Sequence, residues 1–161
     1  MAVTRVPRPE PDLYWHPQTP SPDLPPTLVL LAHDHKKAQL VDLAICYRDV
    51  LARHQLITTA TTGRLLSGMV GLQTTDLSSG LDGNDEEIAD CVGLPSVAAV
   101  IFLLDPFTRR AHEPRIEPVL SACSLYDVPL ATNPSSAGAI LNLLAMLEAA
   151  GSTSGVRISE K

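Results

Sequence analysis

Residues 97–104, with the sequence VAAVIFLL, are eight consecutive apolar side chains and form the most strand-like segment of the chain. An uninterrupted apolar run of this length is typical of a strand that is buried on both faces, as in a parallel sheet. A second run of the same kind, TLVLLA at residues 27–32, is followed directly by polar residues. The two runs predict a sheet whose two faces are both covered.

Helical and strand-like patterns alternate around these two segments. Three more strands are predicted at residues 56–60, 72–77 and 128–132, and helices are predicted at residues 36–53, 61–70, 85–91, 114–125 and 136–149. Strands that are separated by helices are joined by crossovers, which favours parallel pairing with helices on both sides. The predicted fold is therefore α/β, a single three-layer domain with a mostly parallel sheet and helices on both faces.

Length and composition fit one domain, because the chain has 161 residues and 45% of them are apolar. The net charge of −6 argues against binding to nucleic acid or to an anionic membrane surface. The cysteines are odd in number and widely spaced, which predicts free thiols at Cys46, Cys91 and Cys123. No segment resembles a signal peptide or a membrane-spanning helix, so we expect a cytoplasmic protein.

The two ends of the chain differ in composition from its middle. Residues 1–26 hold more than half of the 14 prolines and predict an extended or disordered tail. Trp15 is the only large anchor in this tail, and a partner-docking arm is the alternative interpretation. Residues 27–150 form the predicted domain, and residues 151–161 a polar C-terminal tail.

Polar side chains follow every predicted strand. In open parallel sheets, ligands bind at the carboxyl ends of the strands, so these positions predict a small-molecule pocket. They are His33-Asp34-His35, residues 59–63, Ser79-Gly80, Asp105-Pro106 and Thr132-Asn133.

Two of these positions favour an anion. Thr59, Thr61 and Thr62 stand where a strand turns into a helix, and a helix N-terminus offers free N–H groups and a partial positive charge. Lys37, four residues after His33, could add a fixed cation. Helix capping by the threonines and a solvated lysine are the structural alternatives.

Two further residues could carry proton chemistry. Asp85 precedes a predicted helix and could either cap it or act as a general base. His112 could be a solvated loop residue, or it could donate a hydrogen bond to a developing negative charge. A metal site at His33-Asp34-His35 is not favoured, because adjacent strand residues point to opposite faces.

These motifs, taken in order, resemble those of the methylglyoxal synthase family across residues 27–149. The matching segments are AHDHKK at 32–37, TATTG at 59–63, SGLDGND at 79–85, DP at 105–106 with HEP at 112–114, and PLATN at 129–133. Five motifs in order are far more specific than any one of them. The resemblance implies an enzyme, a carbon–oxygen lyase that eliminates phosphate from dihydroxyacetone phosphate through an enediolate to give methylglyoxal. A non-catalytic module of the same fold that binds phosphorylated ligands is the alternative.

The resemblance also implies residue roles. Asp85 would be the catalytic base, His33 and His112 would contact the substrate oxygens, and Asp34 and Asp105 would support the site. The substrate phosphate would be held by Lys37, Thr59, Ala60, Thr61, Thr62, Ser79 and Gly80. Family members are homohexamers without a metal or an organic cofactor, so we expect the same here, with dihydroxyacetone phosphate and inorganic phosphate as ligands.

The chain departs from the family pattern at several positions, which include Leu81-Asp82, Asn84 and the lack of a match to the family's C-terminal arginine, and two of these departures bear most on the site. Ala60 stands where the family usually has glycine. Arg115, three residues after His112, stands where the family commonly has an aspartate. Two orientations of Arg115 are open at this point: into solvent, with Glu113 supplying the missing carboxylate, or into the pocket beside His112.

Overall fold

A computed structural model describes residues 24–77, 85–107 and 110–153. The strands are β1 (Thr27–Ala32), β2 (Gln55–Thr58), β3 (Thr75–Asp76), β4 (Val97–Leu103) and β5 (Leu130–Ala131). The helices are α1 (Lys37–Cys46), α2 (Arg48–Leu51), α3 (Ala60–Val70), α4 (Asp85–Val92), α5 (Ile116–Tyr126) and α6 (Pro134–Thr153), and a 3-10 turn (Asp34–Lys36) precedes α1. All strand pairs are parallel, in the order β3-β2-β1-β4-β5, which confirms the predicted α/β class.

Alternate side chains of β1 enter two separate cores, one on each face of the sheet. Leu28 and Leu30 belong to the core formed with α1, α2, α3 and α6. Val29 and Leu31 belong to the core formed with α4 and α5. Because successive side chains of a strand point to opposite faces, both sides of β1 are apolar only if both are covered. The two cores confirm the three-layer arrangement.

The sheet reverses its order of connection at β1. From β1 the chain moves outward through β2 to β3, and β4 then pairs with the other side of β1. Parallel sheets have a crevice at such a switch point, at the carboxyl ends of the two central strands. The backbone N–H of His33 donates to the carbonyl of Leu103 at 3.1 Å, which joins the ends of β1 and β4.

The edge strands are shorter than predicted. The apolar patterns at 72–77 and 128–132 contain β3 and β5, but each strand has only two residues. Each of them pairs with a single neighbour, so its backbone is held on one side only. A hydrophobic pattern reports burial, and it does not report how far a ladder extends along an edge.

Three helix boundaries also differ from the prediction. The helix predicted at 36–53 is interrupted at Tyr47, whose φ of −109° and ψ of 23° leave the helical region. The helix predicted from Pro114 begins at Ile116, since a proline at 118 clashes with a helical carbonyl four residues earlier. The last helix, α6, continues to Thr153, beyond the predicted end at Ala149.

Several predictions concern the termini, the membrane and the cysteines. Of the tail predicted at residues 1–26, only 24–26 are among the described residues. No helix within the described ranges is both long and apolar enough to cross a membrane. All three cysteines are free, with Cys46 exposed and the other two buried. Burial raises the pKa of the Cys123 thiol to about 11, which keeps this thiol protonated at neutral pH.

Gly63 is the glycine of α3 at which a side chain has no room. A Cβ there would lie 2.7 Å from both Asp76 Oδ1 and Thr74 Oγ1, and 2.8 Å from Thr58 Oγ1. Gly63→Ala should therefore lower the free energy of unfolding by about 1–3 kcal/mol. Gly68→Ala, on the exposed side of the same helix with nothing within 4 Å, should raise it by about 0.5–1 kcal/mol. Denaturant titration checks both, and equal stability of the two variants would contradict this account.

Candidate active site

The carboxylate of Asp34, just beyond the end of β1, lies at the centre of a polar network. Its Oδ1 accepts a hydrogen bond from Lys37 Nζ at 2.8 Å, one turn along the chain. Its Oδ2 accepts from His112 Nε2 at 3.1 Å and from Arg110 Nη1 at 3.3 Å. One carboxylate therefore joins the start of α1 to the segment that follows β4.

These contacts hold Asp34 in its ionised form. The hydrogen bond from Lys37 is the largest influence on the pKa of Asp34, and burial opposes it. With the hydrogen bond from His112 added, the pKa lies below the ordinary aspartate value. A carboxylate can only accept, so His112 presents its Nε2 proton to Asp34.

The predicted anion-binding residues lie together beside this carboxylate. Lys37 Nζ also donates to Thr61 Oγ1 at 3.0 Å, and the Thr59 hydroxyl donates to Thr62 Oγ1 at 3.1 Å. Thr59 has an extended backbone (φ −73°, ψ 155°) at the N-cap of α3, and its side chain caps no backbone N–H of the helix. The first turn of α3, which begins at Ala60, thus presents its N–H groups next to a lysine. Ser79 and Gly80 lie outside the described residues.

His33 is buried beneath the network, and both of its ring nitrogens have backbone partners. Nδ1 accepts from the N–H of Asp105 at 3.0 Å, and Nε2 lies 3.1 Å from the carbonyl of Pro114. Because one partner is a donor and the other an acceptor, the ring fits the neutral tautomer with the proton on Nε2. The sequence predicted a contact between His33 and the substrate oxygens. This contact would require one of the two bonds to break.

Glu113 is buried, and it binds backbone rather than the imidazole of His112. One of its oxygens accepts from the N–H of Asp34 at 2.6 Å and the other from the N–H of Arg110 at 2.7 Å. Burial is the largest single influence and raises the pKa of Glu113, but the two backbone donors together with the electrostatic effect of His33 outweigh it, so the pKa lies below the ordinary value. One of the two alternatives left open by the sequence had Glu113 supply a carboxylate to His112. In the structure, the carboxylate beside His112 is that of Asp34.

Asp105 lies at the end of β4, opposite the end of β1. Its Oδ1 accepts from the N–H of Phe107 at 3.0 Å, and its Oδ2 lies 3.8 Å from His35 Nδ1. Its own N–H donates to His33 Nδ1, which links the end of β4 to the end of β1. Among the described residues, no group of three or more histidine, cysteine, aspartate or glutamate side chains is placed to hold a metal ion.

Asp85 is the first residue of α4, and both of its oxygens meet Arg115. Oδ1 accepts the backbone N–H of Arg115 at 2.9 Å, and Oδ2 accepts the side-chain Nε at 2.8 Å. The hydrogen bond to Asp85 raises the pKa of the Arg115 guanidinium above its ordinary value. This geometry matches neither of the two orientations left open by the sequence, because the arginine turns toward Asp85.

Comparison with known proteins identifies the family. The chain is 42% identical over 114 residues to the methylglyoxal synthase of Clostridium perfringens, which covers 71% of this chain and 96% of that enzyme. It is 38% identical over 117 residues to the methylglyoxal synthase of Bacillus subtilis, which covers 73% of this chain and 85% of the relative. The chain belongs to the methylglyoxal synthase family. No family model matches it.

A solved structure agrees with this assignment. The crystal structure of methylglyoxal synthase from Elizabethkingia anophelis matches with a TM-score of 0.67 and 32% identity, over 73% of this chain and 79% of the other. The methylglyoxal synthase family predicted from the motifs is thus confirmed, and its relatives favour an enzyme over the non-catalytic module.

Three features of the site in this member of the methylglyoxal synthase family were not predicted. They are the capping of two backbone N–H groups by Glu113, the contact of Arg110 with Asp34, and the pairing of Arg115 with Asp85. All three involve residues 110–115, a segment without regular structure between β4 and α5. Its path depends on contacts distant in sequence, so no local pattern reports it.

Glu113→Gln tests the capping role. A neutral amide offers one acceptor oxygen where the carboxylate offers two, so the variant should lose about 1–3 kcal/mol of stability at neutral pH. The pKa of Glu113 is lowered on folding, so its contribution is complete above the ordinary glutamate value of 4.5 and is lost as the pH falls through the lower, folded value. The stability difference from the unmodified protein should therefore stay constant from neutral pH to near 4.5 and narrow as the pH falls below that value.

Denaturant titration across that range measures the effect. Glu117→Gln, at an exposed glutamate in the first turn of α5, is the matched control and should show little change at either end of the range. A constant difference between Glu113→Gln and the unmodified protein at all pH values would contradict the role of the charge.

Proposed function

We propose that this chain converts dihydroxyacetone phosphate into methylglyoxal and inorganic phosphate. The observation that carries the proposal is the bridge formed by Asp34 between Lys37, next to the start of α3, and His112. It brings an anion-binding helix terminus and an imidazole to one place, as a substrate with a phosphate at one end and a carbonyl near the other requires. Membership of the methylglyoxal synthase family supports this activity.

The phosphate would bind at the start of α3. Lys37 supplies a fixed cation, Thr59, Thr61 and Thr62 supply hydroxyl groups, and the N–H groups of the first turn, from Ala60 onward, point outward. Ser79 and Gly80 complete the set by resemblance to the family. A phosphate would compete with Asp34 and Thr61 for the ammonium group of Lys37.

Asp85 would act as the general base. It removes a proton from the hydroxyl-bearing carbon next to the carbonyl. The electron pair of that C–H bond forms a C=C bond, while the carbonyl π pair moves onto oxygen to give an enediolate. The terminal hydroxyl then loses its proton to solvent and becomes an aldehyde carbonyl, and the C=C pair shifts toward the phosphate-bearing carbon and breaks its C–O bond. Phosphate leaves, and the enol that remains becomes methylglyoxal.

His112 would stabilise the enediolate by redirecting its Nε2 proton from Asp34 to the oxygen on which the negative charge develops. Asp34 orients this imidazole, and Asp105 and His33 hold the floor of the site. In this arrangement we assign His33 a supporting role, because both of its ring nitrogens are already bonded to backbone groups.

The assembly, setting and requirements of the enzyme are proposed from the family resemblance. We propose a homohexamer in the cytoplasm that works without a metal or an organic cofactor. The direct test of the activity is to incubate the purified protein with dihydroxyacetone phosphate and to follow methylglyoxal and free phosphate. Binding of phosphate without release of methylglyoxal would support the non-catalytic module instead.

Asp85→Asn tests the base. The variant keeps the size of the side chain but cannot accept the proton, so kcat should fall by about 100-fold or more. The affinity for inorganic phosphate, measured by calorimetry, should stay close to that of the unmodified protein. Glu86→Gln, at the exposed neighbour in the same helical turn, should retain near-normal turnover. Near-normal turnover of Asp85→Asn would remove Asp85 from the role of base.

Lys37→Ala tests the anion site. Loss of a charge-assisted contact should weaken inorganic phosphate binding by about 10- to 100-fold in calorimetric titration. Lys36→Ala removes the same charge from the adjacent position and should change the affinity much less, because Lys37 is the lysine that contacts Asp34 and Thr61. Equal losses in the two variants would point to a general field rather than a specific contact.

A further inference from the structure

Arg115 holds Asp85 with two donors that belong to one residue. The backbone N–H lies 2.9 Å from Oδ1 and the side-chain Nε lies 2.8 Å from Oδ2. A carboxylate held through both oxygens has a fixed plane as well as a fixed position. One of the two donors, the backbone N–H, does not depend on the identity of the side chain.

The pair stands where two helices begin. Asp85 is the first residue of α4, and Arg115 is the N-cap residue of α5, with an extended backbone (φ −90°, ψ 145°). Helix N-termini carry partial positive charge, which favours a carboxylate placed beside them. The guanidinium adds a full positive charge on the same side.

The other charged groups near the pair are few among the described residues. Glu117 stands in the first turn of α5 and Glu86 and Glu87 in the first turn of α4. Strand β4, on which α4 also packs, has the sequence VAAVIFL and carries no titratable side chain. Within this set, Arg115 is the cation opposite Asp85.

We infer that Arg115 is a positioning residue for the base, which fixes the plane of the Asp85 carboxylate through two hydrogen bonds and favours its charged form. This inference rests on the proposed role of Asp85. A carboxylate has about four lone-pair sites, so the two bonds from Arg115 do not by themselves use up its capacity to accept a proton. Donors to the charged form favour that form, so the base stays available to lower pH than it would without the guanidinium.

The experiment follows the carboxyl group of Asp85 directly. The protein is labelled with ¹³C-aspartate, the Asp85 carboxyl resonance is assigned by its loss in Asp85→Asn, and its titration midpoint is measured without substrate. In Arg115→Gln the midpoint should move to higher pH by about 0.5–1 unit, a shift reduced from that of a buried pair because the arginine is half-exposed. Arg115→Lys, which keeps the charge but not the Nε donor, should shift it less.

The same variants are then assayed for kcat/KM as a function of pH. The acid limb should move in the same direction and order as the NMR midpoint. Arg110→Gln is the matched control, because it removes one positive charge from the same segment but from a partner of Asp34. It should leave the Asp85 midpoint in place.

An unchanged midpoint in Arg115→Gln would overturn the inference, and so would an equal shift in Arg110→Gln. A midpoint shift in Arg115→Gln, combined with no turnover of dihydroxyacetone phosphate by the unmodified protein, would support the Asp85–Arg115 pairing and reject the proposed function. The two failures are therefore distinguishable.

Discussion

The rest of the site depends on the hydrogen bonds of His33, a buried residue directly after β1. Its backbone N–H binds β4, its Nδ1 accepts the N–H of Asp105, and its Nε2 donates to the carbonyl of Pro114. The end of β4 and two points of the segment that follows it thus bind one residue at the end of β1. A buried polar group must find hydrogen-bond partners, so the imidazole of His33 restricts the path of the segment after β4. The Phe102 ring packs nearly perpendicular to the imidazole, with the centroids 5.2 Å apart and an interplanar angle of 85°, which further restricts the orientation of His33.

Asp34, the next residue, adds charged contacts to this hydrogen-bonded framework. Its carboxylate meets an ammonium, an imidazole and a guanidinium, while its backbone N–H binds the buried carboxylate of Glu113. A chain with a net charge of −6 can therefore present a local anion site. The proposed anion site depends on local donors, which are Lys37 and the N–H groups of the first turn of α3, rather than on the charge summed over the molecule.

The sequence predicted the parts of this protein that follow from local pattern. The runs at 27–32 and 97–104 have no charged or strongly polar interruption, which predicts burial on both faces of the sheet. Both strands appear within one residue of their predicted ends. The placing of Lys37 beside Thr61 also followed, because strand exits converge in a parallel sheet. The edge strands and the break at Tyr47 could not be predicted, because pairing on one side and packing against a distant helix leave no periodic signature.

The arginine at position 115 shows how one exchange alters the balance of charge around a site. The family commonly has an aspartate here, and its loss would leave His112 without a carboxylate if that were its only source. In this protein the carboxylate of Asp34 already accepts a hydrogen bond from His112, so His112 does not require a carboxylate at position 115. A second carboxylate at 115 would stand beside Asp85, and like charges in contact disfavour ionisation of both. An arginine at position 115 has the opposite effect. It donates a hydrogen bond to the Asp85 carboxylate and favours its charged form, and the charged form is the one that can accept a proton.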